Sequence, residues 1–137
     1  MGERKEIQMP ATEKVFEQLG VVEAVRVGDR VYVSGQVGWD QNLKPASGLE
    51  AQARLAFQNL RAVLEKAGAK PQHITHLQFF FVDTGSGTSL MEKVDVVCKV
   101  KKEAMPECRA AATGVRVVEL AHPKLMLEVQ AMAEVSN

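Results

Sequence analysis

The sequence predicts an α+β fold in which two helices cover one face of a single mixed β-sheet. Near both ends of the chain, apolar residues alternate with other residues, which is typical of β-strands. Two segments in the middle carry apolar residues at helical spacing, and a short apolar run between them predicts another strand. The predicted element order is therefore β-β-α-β-α-β-β. A chain of 137 residues is of the usual size for one domain, so we expect a single domain over residues 1–137.

Two short β-rich runs, over residues 22–27 and 29–36, predict a hairpin near the start of the chain. They meet at Gly28 and Asp29, and both residue types tolerate the left-handed backbone conformations of hairpin turns. The structured part is expected to begin near Glu13, with residues 1–12 as a flexible tail.

Each predicted helix begins at a capping-box sequence, in which a serine caps the first turn and a glutamate three residues later reaches back to it. The first box is Ser47 to Glu50 and the second is Ser89 to Glu92. We expect the first helix to end at Gly68 and the second before Pro106. Their apolar stripes are Leu49, Ala53, Ala56, Leu60, Val63, Leu64 and Ala67, and then Leu90, Val94, Val97 and Val100.

The run Leu77 to Val82 is apolar at both alternating sets of positions, which predicts a strand buried on both sides. Two helices on one face would leave the other face with Phe80, Val82, Met126 and Met132. An exposed apolar sheet of that extent is unusual in a monomer. The pattern therefore predicts oligomerisation through the sheet.

Composition narrows the class of ligand. The 17 basic and 17 acidic residues cancel, so nucleic acid is not an expected partner and a small molecule is favoured.

No apolar run reaches membrane-spanning length, and the first eight residues fit no targeting signal, so we expect a cytoplasmic protein without membrane contact. Cys98 and Cys108 form no CxxC and have no histidine at ligand spacing, so reduced thiols and no metal are expected.

Several short strings resemble the Rid family, the YjgF-like reactive intermediate deaminases also described as endoribonuclease L-PSP. No one string is specific, but their order and spacing identify the chain as a divergent member over about residues 23–135. The strings are Val33-Ser34-Gly35-Gln36, Ala51-Gln52-Ala53-Arg54, Gln58 to Leu64 followed by Ala67-Gly68, and Leu127 to Ala133.

The resemblance implies a chorismate-mutase-like homotrimer, with the three sheets in a central barrel and ligand sites at subunit interfaces. It also implies hydrolysis of reactive enamines and imines such as 2-aminoacrylate, with no cofactor. Glu128 matches the family's catalytic glutamate, which positions or activates water, and Ser34 and Gly35 match the substrate-binding wall. Such chemistry needs mainly orientation, an activated water and a proton donor, because an imine carbon is already electrophilic.

The resemblance further implies an arginine that binds the substrate carboxylate. Counting forward from Pro106 selects Arg109, whereas counting back from Leu120 places Ala112 at that position. The three-residue difference turns a side chain to the other sheet face, so Arg109 reaches the cleft only if the strand is irregular or begins later. Arg116 is a weaker candidate because it lies about 13 Å beyond Ala112 along the strand.

Two further departures keep other functions open. Val21 stands where the family has an aromatic residue and Met91 where it has an asparagine, so the pocket is expected to be more apolar. The alternative to a deaminase is a non-catalytic trimer that binds small ligands or acts like a chaperone. Endoribonuclease activity is the third hypothesis, which the neutral net charge argues against. For Glu128 itself, the alternative interpretation is an ordinary charged residue on a solvated strand face.

Overall fold

The computed structural model describes residues 2–136, and in that range it contains one six-stranded mixed sheet and three α-helices. A short 3-10 helix covers Pro71–His73. The α-helices are α1 (Glu13–Leu19), α2 (Leu49–Lys66) and α3 (Leu90–Ala104). The strands are β1 (Arg4–Ile7), β2 (Ala24–Val27), β3 (Arg30–Val37), β4 (Ile74–Val82), β5 (Ala111–Val117) and β6 (Leu127–Glu134).

The strands lie in the order β1-β2-β3-β6-β4-β5. Neighbouring strands are antiparallel except β4 and β5, which are parallel and are joined through α3. A parallel pair requires such a crossover connection, because a tight turn can join only antiparallel strands. The predicted α+β class is confirmed, with α2 and α3 as the two predicted helices.

The hydrophobic core lies between the sheet and the helices α2 and α3. Leu77, Phe79 and Phe81 of β4 are buried there, and the last two stack with ring centroids 6.2 Å apart. Phe80 and Val82 on the opposite face are only half-buried. The prediction that β4 is buried on both sides is therefore correct for one face of a single protomer.

The open face of the sheet carries further apolar side chains. Tyr32 and Met132 pair across β3 and β6, and they are 42% and 41% exposed. Phe80 pairs with Val115 across β4 and β5, and Val115 is 38% exposed. We call these four residues the open-face patch. An apolar surface of this kind is typical of an interaction face.

The N-terminal segment differs from its prediction. Residues 4–7 form β1, which pairs antiparallel with β2 from Arg4 opposite Val27 to Ile7 opposite Ala24. The expected flexible tail over residues 1–12 is therefore wrong for this strand. Ile7 is its single buried residue, so main-chain hydrogen bonds rather than a side-chain pattern hold β1 in place. The helix α1 was likewise not predicted, because none of its residues is buried.

The two capping boxes have different outcomes. At α3 the prediction is confirmed, since the Ser89 hydroxyl accepts a hydrogen bond from the Glu92 amide at 3.1 Å. At α2 it is wrong, because Gly48 occupies the N-cap with φ of 91° and no side chain caps the helix. A positive φ suits glycine, and this turn places Ser47 one residue outside the cap.

Within the described range, none of the helices combines the length and the apolar composition that crossing a bilayer requires.

Candidate active site at the β3 bulge

The candidate site is organised by a β-bulge in β3. The register between β3 and β6 shifts between Val33 and Gln36, which are three residues apart while their partners on β6 are two apart. Ser34 and Gly35 together therefore oppose one residue of β6. The bulge keeps Gln36 on the same sheet face as Val33 and takes Ser34 and Gly35 out of the regular ladder.

Glu128 of β6 packs directly over this bulge. It alternates with buried Leu127 and Val129, so its side chain lies on the open face of the sheet. A Cβ added to Gly35 would come within 2.3 Å of the Glu128 Oε2, so only glycine leaves room for the carboxylate. The structure thus brings the predicted residues Glu128 and Gly35 into contact.

Ser34 fixes the bulge to the segment before β2. Its hydroxyl donates to the Val22 carbonyl at 2.7 Å, and its amide donates to the Glu23 carbonyl at 2.8 Å. Val21, where the resemblance implies an aromatic side chain, directly precedes Val22 and is 45% exposed. Of the two predicted wall residues, Gly35 therefore lies against Glu128, and Ser34 anchors the bulge to the segment before β2.

The environment of Glu128 changes its acidity. The carboxyl is half-buried, and this desolvation raises its pKa above the ordinary value. Among residues 2–136 no side chain forms a salt bridge with it or donates a hydrogen bond to it. A carboxyl whose charge is uncompensated takes up a proton more readily, which suits a group that must accept and return protons.

Arg109 lies far from Glu128 within one protomer. It is exposed and precedes β5, whose first residue Ala111 opposes His76 of β4. Glu128 opposes Phe80, which is four residues after His76 along β4. Glu128 lies on β6, which flanks β4 on the side opposite β5. The separation is therefore at least about 13 Å along the strands and about 10 Å across them. Because Arg109 precedes the strand, the alternation of β5 does not fix its direction.

Arg116 is on the wrong face to replace it. It pairs with Phe81, a buried core residue, so both side chains point away from the face that carries Glu128. Its guanidinium also lies 3.5 Å from the Asp83 carboxylate. The pKa of Asp83 is lowered, first by a hydrogen bond from the Gly85 amide and second by Arg116. Arg116 therefore has an acidic partner of its own.

The remaining candidates are less informative. Met91, where the resemblance implies an asparagine, is 64% exposed on α3. Cys98 and Cys108 are both free thiols, and Cys108 is buried. Burial raises the pKa of Cys108, which disfavours the reactive thiolate and favours a structural role. No group of three or more potential metal-ligating side chains occurs in the described part of the chain.

A second polar cluster, which the sequence did not predict, lies across β3 from Glu128. Glu23 is 4% exposed. Its Oε1 accepts a hydrogen bond from the Gln36 side-chain Nε2 at 2.8 Å, and its Oε2 accepts one from the Thr12 hydroxyl. The available signals were an acidic residue, Glu23, within the first β-rich run and the polar Gln36 in the second. Neither signal could bring in Thr12, whose position depends on the unpredicted β1 and α1.

Comparison with known proteins decides the family. The sequence model of the family described as endoribonuclease L-PSP matches residues 14–135, which include the bulge and Glu128. The chain belongs to this family. A solved structure of Rv2704 from Mycobacterium tuberculosis, a member of the YjgF/YER057c/UK114 family, superposes with a TM-score of 0.80 at 24% identity. It covers 97% of this chain and 100% of that one, so the family fold extends over nearly the whole chain.

Two curated relatives of this family member match over shorter stretches. The RutC family protein YjgH of Escherichia coli (strain K12) is 42% identical over 60 residues, which are 44% of this chain and 46% of that protein. A 2-iminobutanoate/2-iminopropanoate deaminase of Dermatophagoides farinae is 37% identical over 60 residues, which are 42% and 47% of the two chains. The chain thus spans about half the length of these relatives. The comparisons establish the family of the chain but not its substrate.

Proposed function

We propose that this protein is a deaminase that hydrolyses small 2-imino acids and their enamine tautomers in clefts between the subunits of a homotrimer. The observation that carries the proposal is the Glu128 carboxyl, which is half-buried against Gly35, has a raised pKa and has no cation beside it within residues 2–136. The similarity to a protein named as a 2-iminobutanoate/2-iminopropanoate deaminase supports the substrate class.

The proposed reaction is the addition of water to a carbon–nitrogen double bond followed by loss of ammonia. Glu128 accepts a proton from the attacking water while a new carbon–oxygen bond forms, and that proton passes to the substrate nitrogen. In the tetrahedral carbinolamine, Glu128 then transfers the hydroxyl proton to the amine while the carbon–nitrogen bond breaks, which releases ammonia and leaves a 2-oxo acid. A carboxyl with a raised pKa suits both steps, because it takes up a proton more readily than an ordinary glutamate and can then return it.

The rest of the proposed cleft comes from a neighbouring subunit. Packing of the open-face patch (Tyr32, Phe80, Val115 and Met132) against other copies would bury its exposed apolar area and enclose Glu128. Arg109, which is exposed at the edge of the sheet and far from the Glu128 of its own protomer, would reach a partner's cleft and bind the substrate carboxylate. Ser34 and Gly35 would form the wall beside the substrate.

The proposal is tested by measuring ammonia release from 2-iminobutanoate generated in situ, with light scattering to establish the oligomeric state. We expect a trimer that accelerates release above the spontaneous rate. Arg109→Ala should raise KM by about tenfold or more, as loss of a charge-assisted contact implies, while the matched control Arg116→Ala should change it little. A monomer, or activity that depends on Arg116 and not Arg109, would contradict the proposed cleft.

The second candidate function is a trimer that binds small ligands without turnover. Two observations favour it: no arginine lies beside Glu128 within the described residues of a protomer, and apolar Val21 and Met91 stand where the resemblance implies an aromatic residue and an asparagine. A wild-type protein that binds 2-oxobutanoate but adds nothing to spontaneous imine hydrolysis would select this function over the deaminase.

A further inference from the structure

A cavity of about 480 Å³ lies on the helix-covered side of β3, opposite the Glu128 site. Such a volume is within the range of small-molecule pockets. Its walls come from three segments: residues 9–12 before α1, residues 39–41 after β3, and the α2 residues Asn59, Ala62 and Val63. Glu23 and Gln36 also line it. We call it the α2 cavity.

The Glu23 carboxylate is held rigidly at the wall of the α2 cavity. Gln36 and Thr12 each donate one hydrogen bond to one of its oxygens. Its backbone is fixed too, because its amide donates to the Ile7 carbonyl at 3.0 Å and its carbonyl accepts from the Ser34 amide at 2.8 Å. A carboxylate has about four acceptor positions, so two donors leave capacity for a ligand.

The charge of the α2 cavity has one sign. Asp40 is a second acidic lining residue, and its Oδ1 accepts the amides of Asn42 at 2.8 Å and Lys44 at 3.0 Å, which fixes its loop. No Lys, Arg or His is among the described residues that line the cavity. Trp39 lies in the same wall and is half-buried. Two carboxylates and an indole together favour a cation, which can both pair with a carboxylate and contact the face of an aromatic ring.

The apolar part of the lining sets the rest of the ligand. Met9, Pro10, Ala62 and Val63 offer hydrocarbon surface next to the polar group at Glu23. Burial of a ligand's apolar group there is favourable because it removes hydrocarbon surface from water. A hydrated metal ion or an inorganic cation would leave this surface uncovered, whereas an organic ammonium would cover it.

We propose that the α2 cavity is a binding site for a small organic amine, which places its ammonium group at Glu23 and its apolar group between Trp39 and the α2 helix. This site is separate from the proposed deaminase cleft and lies on the opposite face of the sheet. All the lining residues named above belong to one protomer.

The test uses Trp39 as a reporter, since it is the single tryptophan of the chain. The full-length protein is titrated with phenethylamine, 2-phenylethanol and phenylacetate, and both Trp39 fluorescence and heat of binding are recorded. These probes share a phenyl group and differ in charge. We expect saturable binding of phenethylamine, at least about tenfold weaker binding of the alcohol, as the loss of one charged contact implies, and none of the acid. Equal binding of all three, or no binding of phenethylamine by either readout, would overturn the proposal.

Variants then assign the binding to the α2 cavity. Glu23→Gln should weaken phenethylamine binding at least tenfold, whereas the control Glu65→Gln, at an exposed position of α2 that does not line the cavity, should not change it. Should Glu23→Gln fail to fold, Ala62→Leu narrows the cavity from an exposed helix position and should abolish binding. Unchanged binding in Ala62→Leu would overturn the assignment. Glu128→Gln should leave amine binding unaltered, so a failure of this site and a failure of the deaminase proposal give different results.

Discussion

The chain carries two carboxyl groups on opposite sides of one β-bulge, and their surroundings differ. Glu23, on the helix-covered side, accepts hydrogen bonds from Gln36 and Thr12. Glu128, on the open side, lies half-buried over Gly35, and burial raises its pKa. Burial without a donor destabilises the charged form of the Glu128 carboxyl. The comparison separates a group that fixes structure from one that can exchange protons.

The bulge supplies both environments from consecutive residues. Gly35 provides space for the Glu128 carboxylate, and Gln36 donates to Glu23. In a regular strand, Gln36 would alternate away from the face of Val33 and could not meet Glu23. Bulges often occur beside active sites because they redirect side chains in this way. A substitution on one side of the bulge can therefore leave the other side intact.

The largest expected effect is on turnover. Glu128→Gln keeps the shape of the side chain but removes the proton acceptor, so we expect kcat for imine hydrolysis to fall by about 10²–10⁴-fold with little change in KM. Ammonia release from 2-iminobutanoate measures both constants. The reference is Glu119→Gln, an exposed acid in the loop after β5, which should keep wild-type kcat. A Glu128→Gln enzyme with undiminished kcat would remove Glu128 from the proposed mechanism.

The next effect is on the geometry of the bulge. Gly35→Ala forces a methyl group into the space of the Glu128 carboxylate, so we expect a loss of unfolding free energy of about 1–3 kcal/mol together with reduced turnover. Gly114→Ala is the matched control, because its added Cβ would lie 3.4 Å from the nearest atom, an ordinary contact with Phe81. Chemical denaturation and the ammonia assay on both variants measure the two effects. Equal stability of the two variants would show that Glu128 moves aside at no cost.

On the opposite side of the bulge, stability should change without a direct effect on chemistry. Gln36→Leu removes a hydrogen-bond donor from buried Glu23, and a buried polar group left without its partner costs about 1–3 kcal/mol. Urea denaturation measures the difference. Gln58→Leu, at an exposed position of α2, should stay within about 0.5 kcal/mol of wild type. If the two leucine variants are equally stable, the Gln36 to Glu23 hydrogen bond does not contribute to folding.

The sequence predicted the two sides of the bulge unequally. Glu128, Ser34 and Gly35 belong to strings that resemble a family, and alternation along β6 places Glu128 on the open face, so this side could be predicted. The Glu23 cluster depends on Thr12, which β1 and α1 bring to it from eleven residues away. Those two elements bury one residue and none, respectively, so they leave no periodic signal. Tertiary contacts formed by main-chain pairing are not encoded in apolar spacing.

The carboxylate-binding arginine could not be assigned from the sequence for a different reason. Spacing gave two registers for β5, and the strand begins at Ala111, after Arg109 and before Ala112. All residues of β5 except the last are exposed in a single protomer, so no burial pattern distinguishes its faces. In the proposed homotrimer, this edge strand would pack against a neighbouring subunit. Its site residue could therefore not be fixed by the properties of one chain.

The smallest expected effect is a pH dependence of stability that belongs to Glu128 alone. Its pKa is raised in the folded state by burial, so the unfolded protein binds fewer protons at this position between the unfolded and folded pKa values. Its contribution is therefore favourable below the unfolded value, about 4.3, and is lost as the pH rises through the higher folded value. Glu128→Gln cannot ionise, so its stability relative to wild type should increase as the pH rises from about 4 to 8. Urea denaturation of the two proteins across this range isolates the difference, because every other titrating group is common to both. A difference that is flat, or that decreases with pH, would mean that the Glu128 carboxylate has a compensating partner in the assembled protein.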